Sequence, residues 1–134
     1  MTITDPIADM LTALRNAVAV HKDIVVVPHS KLREAIAKLI QEEGYVRDVR
    51  VETNPQTKFL ELQVGLKYAS NGDSVIQGIR RVSHPGQRIY SSSNRLKKVL
   101  SGVGTSVVST SQGLMTDHQA RQQGLGGEVL FKIW

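Results

Sequence analysis

Residues 30–66 read SKLREAIAKLIQEEGYVRDVRVETNPQTKFLELQVGL, the pattern of one helix followed by two strands. Ser30 is a favourable N-cap, and Gly44 stands where a helix can end in a glycine cap. Between them an apolar stripe recurs at helical spacing, formed by Leu32, Ile36, Leu39 and Ile40. Residues 45–52 and 59–66 are predicted strands, and the second alternates apolar and polar residues. One face of that strand is therefore expected to be buried and the other solvated.

The residues before this stretch predict another helix and another strand. Asp5 is a suitable N-cap for a helix over residues 6–20, and Pro6 occupies its first position, where proline is well tolerated. The β-branched run at residues 24–27, which ends at Pro28, predicts a short buried strand. The order α-β-α-β-β predicts a small layered domain with its helices on one side of a sheet.

The chain after residue 72 is rich in predicted strands and in glycine. We expect strands at residues 75–82, 88–90, 103–110 and 129–133, with a Pro-Gly turn at residues 84–87. Asn94 can cap a short basic helix over residues 95–100. Residues 116–119 form a capping box that opens a short helix ending at Gly124. The fold class predicted for the whole chain is α+β: an N-terminal layered domain and a strand-rich C-terminal domain with short helices.

The net charge of the 134-residue chain is +5, and all of this excess lies in its second half. Residues 1–72 contain nine Lys or Arg and nine Asp or Glu, whereas residues 73–134 contain eight and three. We predict a domain boundary between these two ranges. A one-sided positive excess is typical of a region that faces a polyanion, and a solvated basic face that only aids solubility accounts for it as well.

The sequence contains little that indicates catalysis or metal binding. It has no cysteine, which fits a reducing compartment and excludes thiol nucleophiles, disulfides and Cys-based zinc sites. The four histidines never fall at i, i+4 on one predicted helix, and the glycines at 102–104 and 124–127 complete no dinucleotide or P-loop pattern. No apolar run reaches the roughly 18 residues of a membrane span. We expect no enzyme activity, cofactor, metal, small-molecule substrate or membrane contact.

Two clusters of small polar residues and glycines lie in the basic half, at residues 109–113 and 124–128. Hydroxyls both donate and accept hydrogen bonds, and glycines allow another surface to approach the backbone. This combination suits sugar and base-edge contacts in the shallow minor groove of RNA, with nearby arginines and lysines contacting phosphates. Serines in a strand-to-helix turn, with glycines needed for turns and close backbone packing, explain the same residues without RNA.

Motifs along the whole chain match one protein family in order and without large insertions. The most specific are Ser-Thr-Ser-x-Gly at residues 109–113 and Gly-Leu-Gly-Gly-Glu at residues 124–128. The others are Asp5-Pro6-Ile7-Ala8-Asp9-Met10-Leu11, Arg15-Asn16, Ser30-Lys31, Glu42-Glu43-Gly44, Arg81-Val82-Ser83, Pro85-Gly86, Arg88-Ile89-Tyr90, Val107-Val108, Met115-Thr116-Asp117 and Ala120-Arg121. Together they resemble the family of bacterial-type small ribosomal subunit protein eight.

The resemblance implies a structural constituent of the small ribosomal subunit that binds the central domain of 16S-type ribosomal RNA and aids subunit assembly. It implies a place in the ribosome, cytoplasmic or in the plastid stroma, beside neighbouring small-subunit proteins. Some family members also bind their own messenger and repress its translation. The contact residues it implies are Tyr90, Ser109, Thr110, Ser111, Gly113, Gly126, Gly127 and Glu128, with Arg15, Asn16, Ser30 and Lys31 in the N-terminal domain. From their charge we add Arg88, Lys97 and Lys98.

Two of these residues also have a purely structural explanation. Phosphates repel the Glu128 carboxylate unless it accepts from a base amine, so it can equally be a hydrogen-bond acceptor at a strand end. Tyr90 can be an amphipathic ring that covers the core. A regulatory double-stranded-RNA-binding module outside the ribosome is the alternative function, and a phosphate-ester enzyme using the glycine loops is a weaker one.

Three departures from the usual bacterial pattern limit what the resemblance implies. Ala13 stands where many members have Arg, Gln112 where many have Lys, and residues 91–93 are serines where a charged run is common. Each lacks a positive charge, so a weaker phosphate contribution is expected here. Gln112, His118 and Trp134 are more similar to the cyanobacterial and plastid branch.

Overall fold

A computed structural model describes residues 5–134, apart from the side chain of Ser101. The chain divides into two compact units, Met1–Ile76 and Gln77–Trp134. Residues 73–76 lie with the first unit, whereas the sequence placed the boundary after residue 72. Within the described residues there are three α-helices and two antiparallel sheets, which confirms the predicted α+β class.

The first unit is a three-stranded antiparallel sheet with two helices, in the predicted order. Its elements are α1 (Pro6–Ala19), β1 (Ile24–Pro28), α2 (Lys31–Glu42), β2 (Val46–Thr53) and β3 (Leu60–Leu66). The strand order is β1-β3-β2. Both predicted caps are present. Asp5 accepts a hydrogen bond from the Ala8 N–H at 3.1 Å, and Ser30 accepts one from the Arg33 N–H at 3.1 Å.

The core of the first unit lies between the helices and one face of this sheet. Its fully buried side chains include Met10, Leu11, Leu14, Ile36, Ile40, Leu62, Val64 and Leu66. Of the apolar stripe predicted on α2, Ile36, Leu39 and Ile40 are buried, whereas Leu32, in the first turn, is 36% exposed. Ala37, beside this stripe, is also fully buried.

β1 is a half-exposed edge strand, whereas its β-branched sequence predicts a fully buried one. Val25 and Val27 are buried, but Ile24 and Val26 are 45% and 48% exposed. Side chains alternate between the two faces of a strand. Because helices cover only one face of this sheet, only every second residue of β1 is buried.

The side chains of His29, Glu34 and Lys38 form a small hydrogen-bonded cluster at the start of α2. His29 Nε2 lies 2.7 Å from Glu34 Oε1, and Lys38 Nζ lies 2.6 Å from Glu34 Oε2. Hydrogen bonds from Lys38 and then from His29 hold the pKa of the Glu34 carboxyl below its ordinary value. The cluster therefore favours the ionised form of Glu34.

The second unit is built on a five-stranded antiparallel sheet. Its elements are β4 (Ile79–Arg81), β5 (Tyr90–Ser91), short 3-10 helices at Ser93–Arg95 and Val99–Gly102, β6 (Thr105–Thr110), β7 (Gly113–Thr116), α3 (Asp117–Gln123) and β8 (Gly127–Ile133). β8 pairs with β4, β5 and β6, and β6 pairs with β7. The predicted capping box of Thr116 and Gln119 is present, and α3 ends at Gly124 with φ +67°.

Two predictions for the second unit were wrong. The strand expected over residues 75–82 is only Ile79–Arg81, because the N–H groups of Gln77 and Gly78 both donate to the Trp134 carbonyl and leave no regular ladder there. The helix expected over residues 95–100 is replaced by two 3-10 helices around an extended segment. Leu96 in that segment is buried in a core cluster with Val108, Met115, Ala120 and Val129. Burial of this side chain outweighs local helix preference.

Candidate nucleic-acid interface

The Ser-Thr-Ser-x-Gly residues form a β-hairpin, not the strand-to-helix turn considered from the sequence. Ser109 and Thr110 end β6, and the next two residues form the turn. Gly113 begins β7 opposite Thr110. It has φ +107°, a conformation that side-chain-bearing residues rarely adopt, so this position requires glycine.

The Thr110 hydroxyl holds the hairpin together from within. Its Oγ1 donates to the Gly113 carbonyl at 2.8 Å and accepts from the Gln112 N–H at 3.1 Å. The neighbouring Ser111 side chain is exposed, and no group among residues 5–134 hydrogen-bonds its hydroxyl. Thr110 therefore shapes the turn, whereas Ser111 presents an open donor and acceptor to a ligand.

The register of the sheet brings predicted residues from three segments side by side. Tyr90 lies opposite Glu128, and Glu128 lies opposite Ser109. Directly opposite residues of antiparallel strands point to the same face, so these three side chains form a row. Gly127 lies opposite Thr110 one position further along. We call this region the hairpin surface; it consists of Tyr90, Ser109, Thr110, Ser111, Gly113, Gly127 and Glu128.

The charge of Glu128 within this row is matched by Arg88. Arg88 Nη1 lies 3.2 Å from Glu128 Oε2, and the Glu128 side chain is only 16% exposed. An arginine at this distance offsets the repulsion that a bare carboxylate would exert on phosphates. Tyr90 is 71% exposed, so its ring does not serve to cover the core. Arg88 and Tyr90 therefore give this row a cation and an aromatic surface.

Gly126 and Gly127 allow close packing of the protein's own backbone. A Cβ on Gly127 would lie 2.1 Å from the Ser109 carbonyl oxygen, and one on Gly126 would lie 2.5 Å from that of Ser91. This is the backbone approach that the sequence suggested for these glycines. Their role is to bring β8 against the neighbouring strands and so position the hairpin surface.

The second unit carries the net positive charge of the chain. Residues 77–134 contain eight Lys or Arg and two Asp or Glu, a net charge of eight minus two, or +6. Both carboxylates are held by arginines, since Asp117 Oδ2 lies 2.8 Å from Arg121 Nη1 and Glu128 is paired with Arg88. The excess is carried by Arg80, Arg81, Arg95, Lys97, Lys98 and Lys132. A surface of this charge attracts a polyanion.

The predicted lysines and two further cations lie outside the row. Lys97 and Lys98 are exposed in the extended segment between the 3-10 helices. Lys97 lines a cavity of about 240 Å³ together with Arg95 and Lys132, neither of which the sequence analysis selected. Their charge was visible in the sequence, but their convergence depends on how β8 pairs, which no local pattern reveals.

The residues predicted in the first unit lie on its two helices. Arg15 and Asn16 are adjacent and exposed on α1. Ser30 is the N-cap of α2, so its oxygen already accepts a backbone hydrogen bond, and Lys31 is exposed at the first helical position. Lys31 and the pair on α1 are therefore accessible to a ligand of this unit.

The part of the chain that the structure describes contains no cluster of side chains that could hold a metal ion. No group of three His, Asp or Glu side chains in residues 5–134 lies close enough to hold a metal ion. Asp117 and Glu128, the two carboxylates of the second unit, are each engaged by a different arginine.

None of the helices described for residues 5–134 is long and apolar enough to cross a membrane.

The second unit thus combines a hairpin that carries an open hydroxyl, an adjacent aromatic ring and a net charge of +6. A family model described as ribosomal protein S8 matches residues 5–134 of the chain. The chain belongs to this family. The family predicted from the sequence is thereby confirmed, and the match extends over both units.

Individual relatives are similar over their full length. The small ribosomal subunit protein uS8 of Halothermothrix orenii is 50% identical over 135 aligned residues, which cover all of both chains. The proteins of the same name from Nocardia farcinica and Saccharopolyspora erythraea are each 52% identical over 134 residues, again covering all of both chains. Affinity to the cyanobacterial and plastid branch stays a prediction.

Proposed function

We propose that this chain is a structural component of the small ribosomal subunit and binds the central domain of its ribosomal RNA chiefly through the second unit. Membership of the family supports its place in the ribosome, beside neighbouring small-subunit proteins, and a structural role instead of a catalytic one. The observation that carries the RNA contact is the hairpin surface. Three distant segments meet there within the unit whose net charge is +6.

The chemistry of the hairpin surface suits RNA of irregular shape. The minor groove of A-form RNA is wide and shallow and presents 2′-hydroxyls and base edges, which the exposed Ser111 hydroxyl can reach as donor or acceptor. The exposed Tyr90 ring can stack on an unpaired base. The lysines and arginines supply affinity and orientation through phosphates, whereas the uncharged hairpin supplies selectivity.

The first unit contributes a second, weaker contact in this proposal. Arg15, Asn16 and Lys31 are exposed and of the types that bind RNA backbone, but residues 1–76 contain nine Lys or Arg and ten Asp or Glu. A unit with this charge balance gains little from general attraction to phosphate. Its contacts therefore depend on where the second unit has placed the RNA. Repression of the chain's own messenger, where it occurs, would use the same surfaces.

Two alanine variants separate ligand contact from turn structure. Ser111→Ala is expected to weaken binding to the irregular ribosomal RNA stem by roughly 1–3 kcal/mol and to leave the unfolding free energy unchanged, because this hydroxyl has no partner within the described protein. Thr110→Ala is expected to lower both quantities, since it removes two hydrogen bonds inside the hairpin. Ser70→Ala, an exposed serine of the first unit, is the matched control.

The titrations also test the alternative function. Equal affinities of wild type and Ser111→Ala for the stem would overturn the assignment of the hairpin surface. Equal affinity of the wild type for the stem and for an unrelated regular duplex would favour a general double-stranded-RNA-binding module. Co-sedimentation of the chain with small ribosomal subunits after a high-salt wash tests its place in the particle.

A further inference from the structure

The second unit contains a cavity with apolar walls and a rim of cations. Two of its walls belong to the core cluster of this unit. Its volume is about 240 Å³, and its apolar lining residues are Val82, Ile89, Leu96 and Val129. Leu96 and Val129 are 7% and 8% exposed and belong to the core cluster. These two walls are therefore part of the packed core, and Val82 packs against the same cluster, whereas Ile89 is 36% exposed.

The charges around this cavity all have one sign. Arg95, Lys97 and Lys132 line it, and no acidic residue is among the described residues that do so. The two carboxylates of the unit, Asp117 and Glu128, are occupied by arginines outside the lining. An anionic group at the rim is therefore favoured over a neutral or cationic one, since three cations line the cavity with no carboxylate among the described residues beside them.

The apolar walls restrict the occupant further. A bare phosphate satisfies the cations but leaves the walls uncovered, and an aromatic protein side chain covers the walls but brings no negative charge. A nucleotide supplies both, a flat heterocycle for the walls and a phosphate for the rim. The volume lies below the range of about 300–1,000 Å³ typical of sites for drug-sized ligands, which limits the occupant to a single base.

We propose that this cavity binds one unpaired nucleotide of the RNA, with its base against the apolar walls and its phosphate among Arg95, Lys97 and Lys132. The inference rests on the proposed RNA binding and extends it. Tyr90 and Ser91 line the cavity and also form strand β5, which pairs with β8 at the hairpin surface. The cavity and the hairpin surface therefore share Tyr90.

The first test uses free nucleotides on the full, isotope-labelled chain. AMP, GMP, CMP and UMP are titrated separately, with inorganic phosphate in parallel, and backbone amide shifts are recorded by NMR. We expect saturable shifts at Ser91, Leu96 and Val129 with at least one nucleotide and not with phosphate. Lys132→Gln is expected to weaken this binding roughly two- to fivefold, the range of one exposed ion pair. Arg80→Gln is the matched control, because Arg80 carries the same charge and lies opposite Lys132 in the sheet but does not line the cavity. This variant is expected to change the nucleotide affinity less than twofold.

The second test identifies the source of the nucleotide. Each unpaired position of the ribosomal RNA stem is replaced in turn by an abasic site. One replacement is expected to lower the RNA affinity of the wild type about fivefold or more. The same replacement is expected to lower the RNA affinity of Lys132→Gln by a smaller factor, because this variant already holds the nucleotide less tightly. If nucleotides bind the cavity but no abasic site has this effect, the nucleotide chemistry stands and the occupant is a free mononucleotide.

Three outcomes would overturn the proposal: shifts caused equally by inorganic phosphate, no shifts at the cavity with any nucleotide, or shifts only when a neighbouring ribosomal protein is added. Folding of each variant is checked by thermal unfolding. The proposed function is judged separately, by selective binding of the wild type to the intact stem. That selectivity can persist when the cavity proposal fails.

Discussion

Gly127→Ala tests whether the hairpin surface depends on close contact between β6 and β8. The added Cβ would lie 2.1 Å from the Ser109 carbonyl oxygen, 2.9 Å from the Ser109 carbonyl carbon and 3.2 Å from Thr110 Cα. All three are backbone atoms, so no side-chain rotation relieves the overlap. Ordinary contacts begin at 3.4 Å, and the strands must therefore part by about 1.3 Å (3.4 minus 2.1) where the hairpin begins.

Overlap of this kind in a packed structure costs roughly 1–3 kcal/mol, and any ladder hydrogen bond that breaks adds about 1 kcal/mol. We expect urea unfolding of Gly127→Ala to show this decrease in stability. We also expect weaker binding to the ribosomal RNA stem even where the variant is fully folded, because Ser109 and the turn that follows it are displaced. Both quantities are measured on the same preparations, by equilibrium unfolding and by titration of the RNA.

Gly86→Ala is the matched control. A Cβ on Gly86 meets nothing within 4 Å, and its φ is not positive, so this variant is expected to be as stable as the wild type or slightly more so. If Gly127→Ala has the same unfolding free energy and RNA affinity as Gly86→Ala, β6 and β8 do not approach each other closely at this position. The argument that glycine at 127 positions the hairpin surface would then be refuted.

Three further perturbations concern other parts of the molecule. Asp117→Ala leaves a buried backbone N–H without its acceptor, which should lower the unfolding free energy by about 1–3 kcal/mol in urea titrations, with Asp117→Asn milder; equal stability of Asp117→Ala and wild type would contradict this. Lys38→Met should raise the pKa of Glu34, measured by an NMR pH titration, and an unchanged pKa would show that Lys38 is not the main cause of its depression. Because folding lowers the pKa of Glu34, the stability that this group contributes is present above its unfolded-state pKa. That contribution is lost as the pH falls through the folded-state pKa. Replacing Lys97 and Lys98 by Ala should reduce the slope of log affinity against log salt by about one for each phosphate that the variant no longer neutralises, and an unchanged slope would place both lysines in solvent.

Features governed by neighbouring residues were predictable from the sequence. The caps at Asp5, Ser30 and Thr116 and the order of the first unit depend on local side-chain geometry and on periodicity, and all are present. β7 was missed because its strand has only four residues and its turn lacks the Asn-Gly or Asp-Gly pair that marks a tight hairpin. The helix predicted around Leu96 is absent because this side chain is buried in the core cluster, and that tertiary contact outweighs the local preference for a helix.

The candidate site was predictable in composition but not in arrangement. The hydroxyls, glycines and cations of the second half are visible in the sequence, and the family resemblance pointed to most of them. That Glu128 meets Ser109 and Tyr90 depends on strand register, and a one-residue slip would turn each side chain to the other face. The pairing of Glu128 with Arg88 joins residues 40 positions apart, a separation that no local pattern encodes.

Edge strands with apolar side chains, such as β1 with its exposed Ile24 and Val26, attract the edges of other strands. Pro28 at the end of β1 blocks only one backbone donor, and neither lysine nor a bulge protects the rest of that strand. β1 is therefore a template for self-association through its open edge. Because such pairing joins two copies, its extent rises with the concentration of the chain, even when each copy is stably folded.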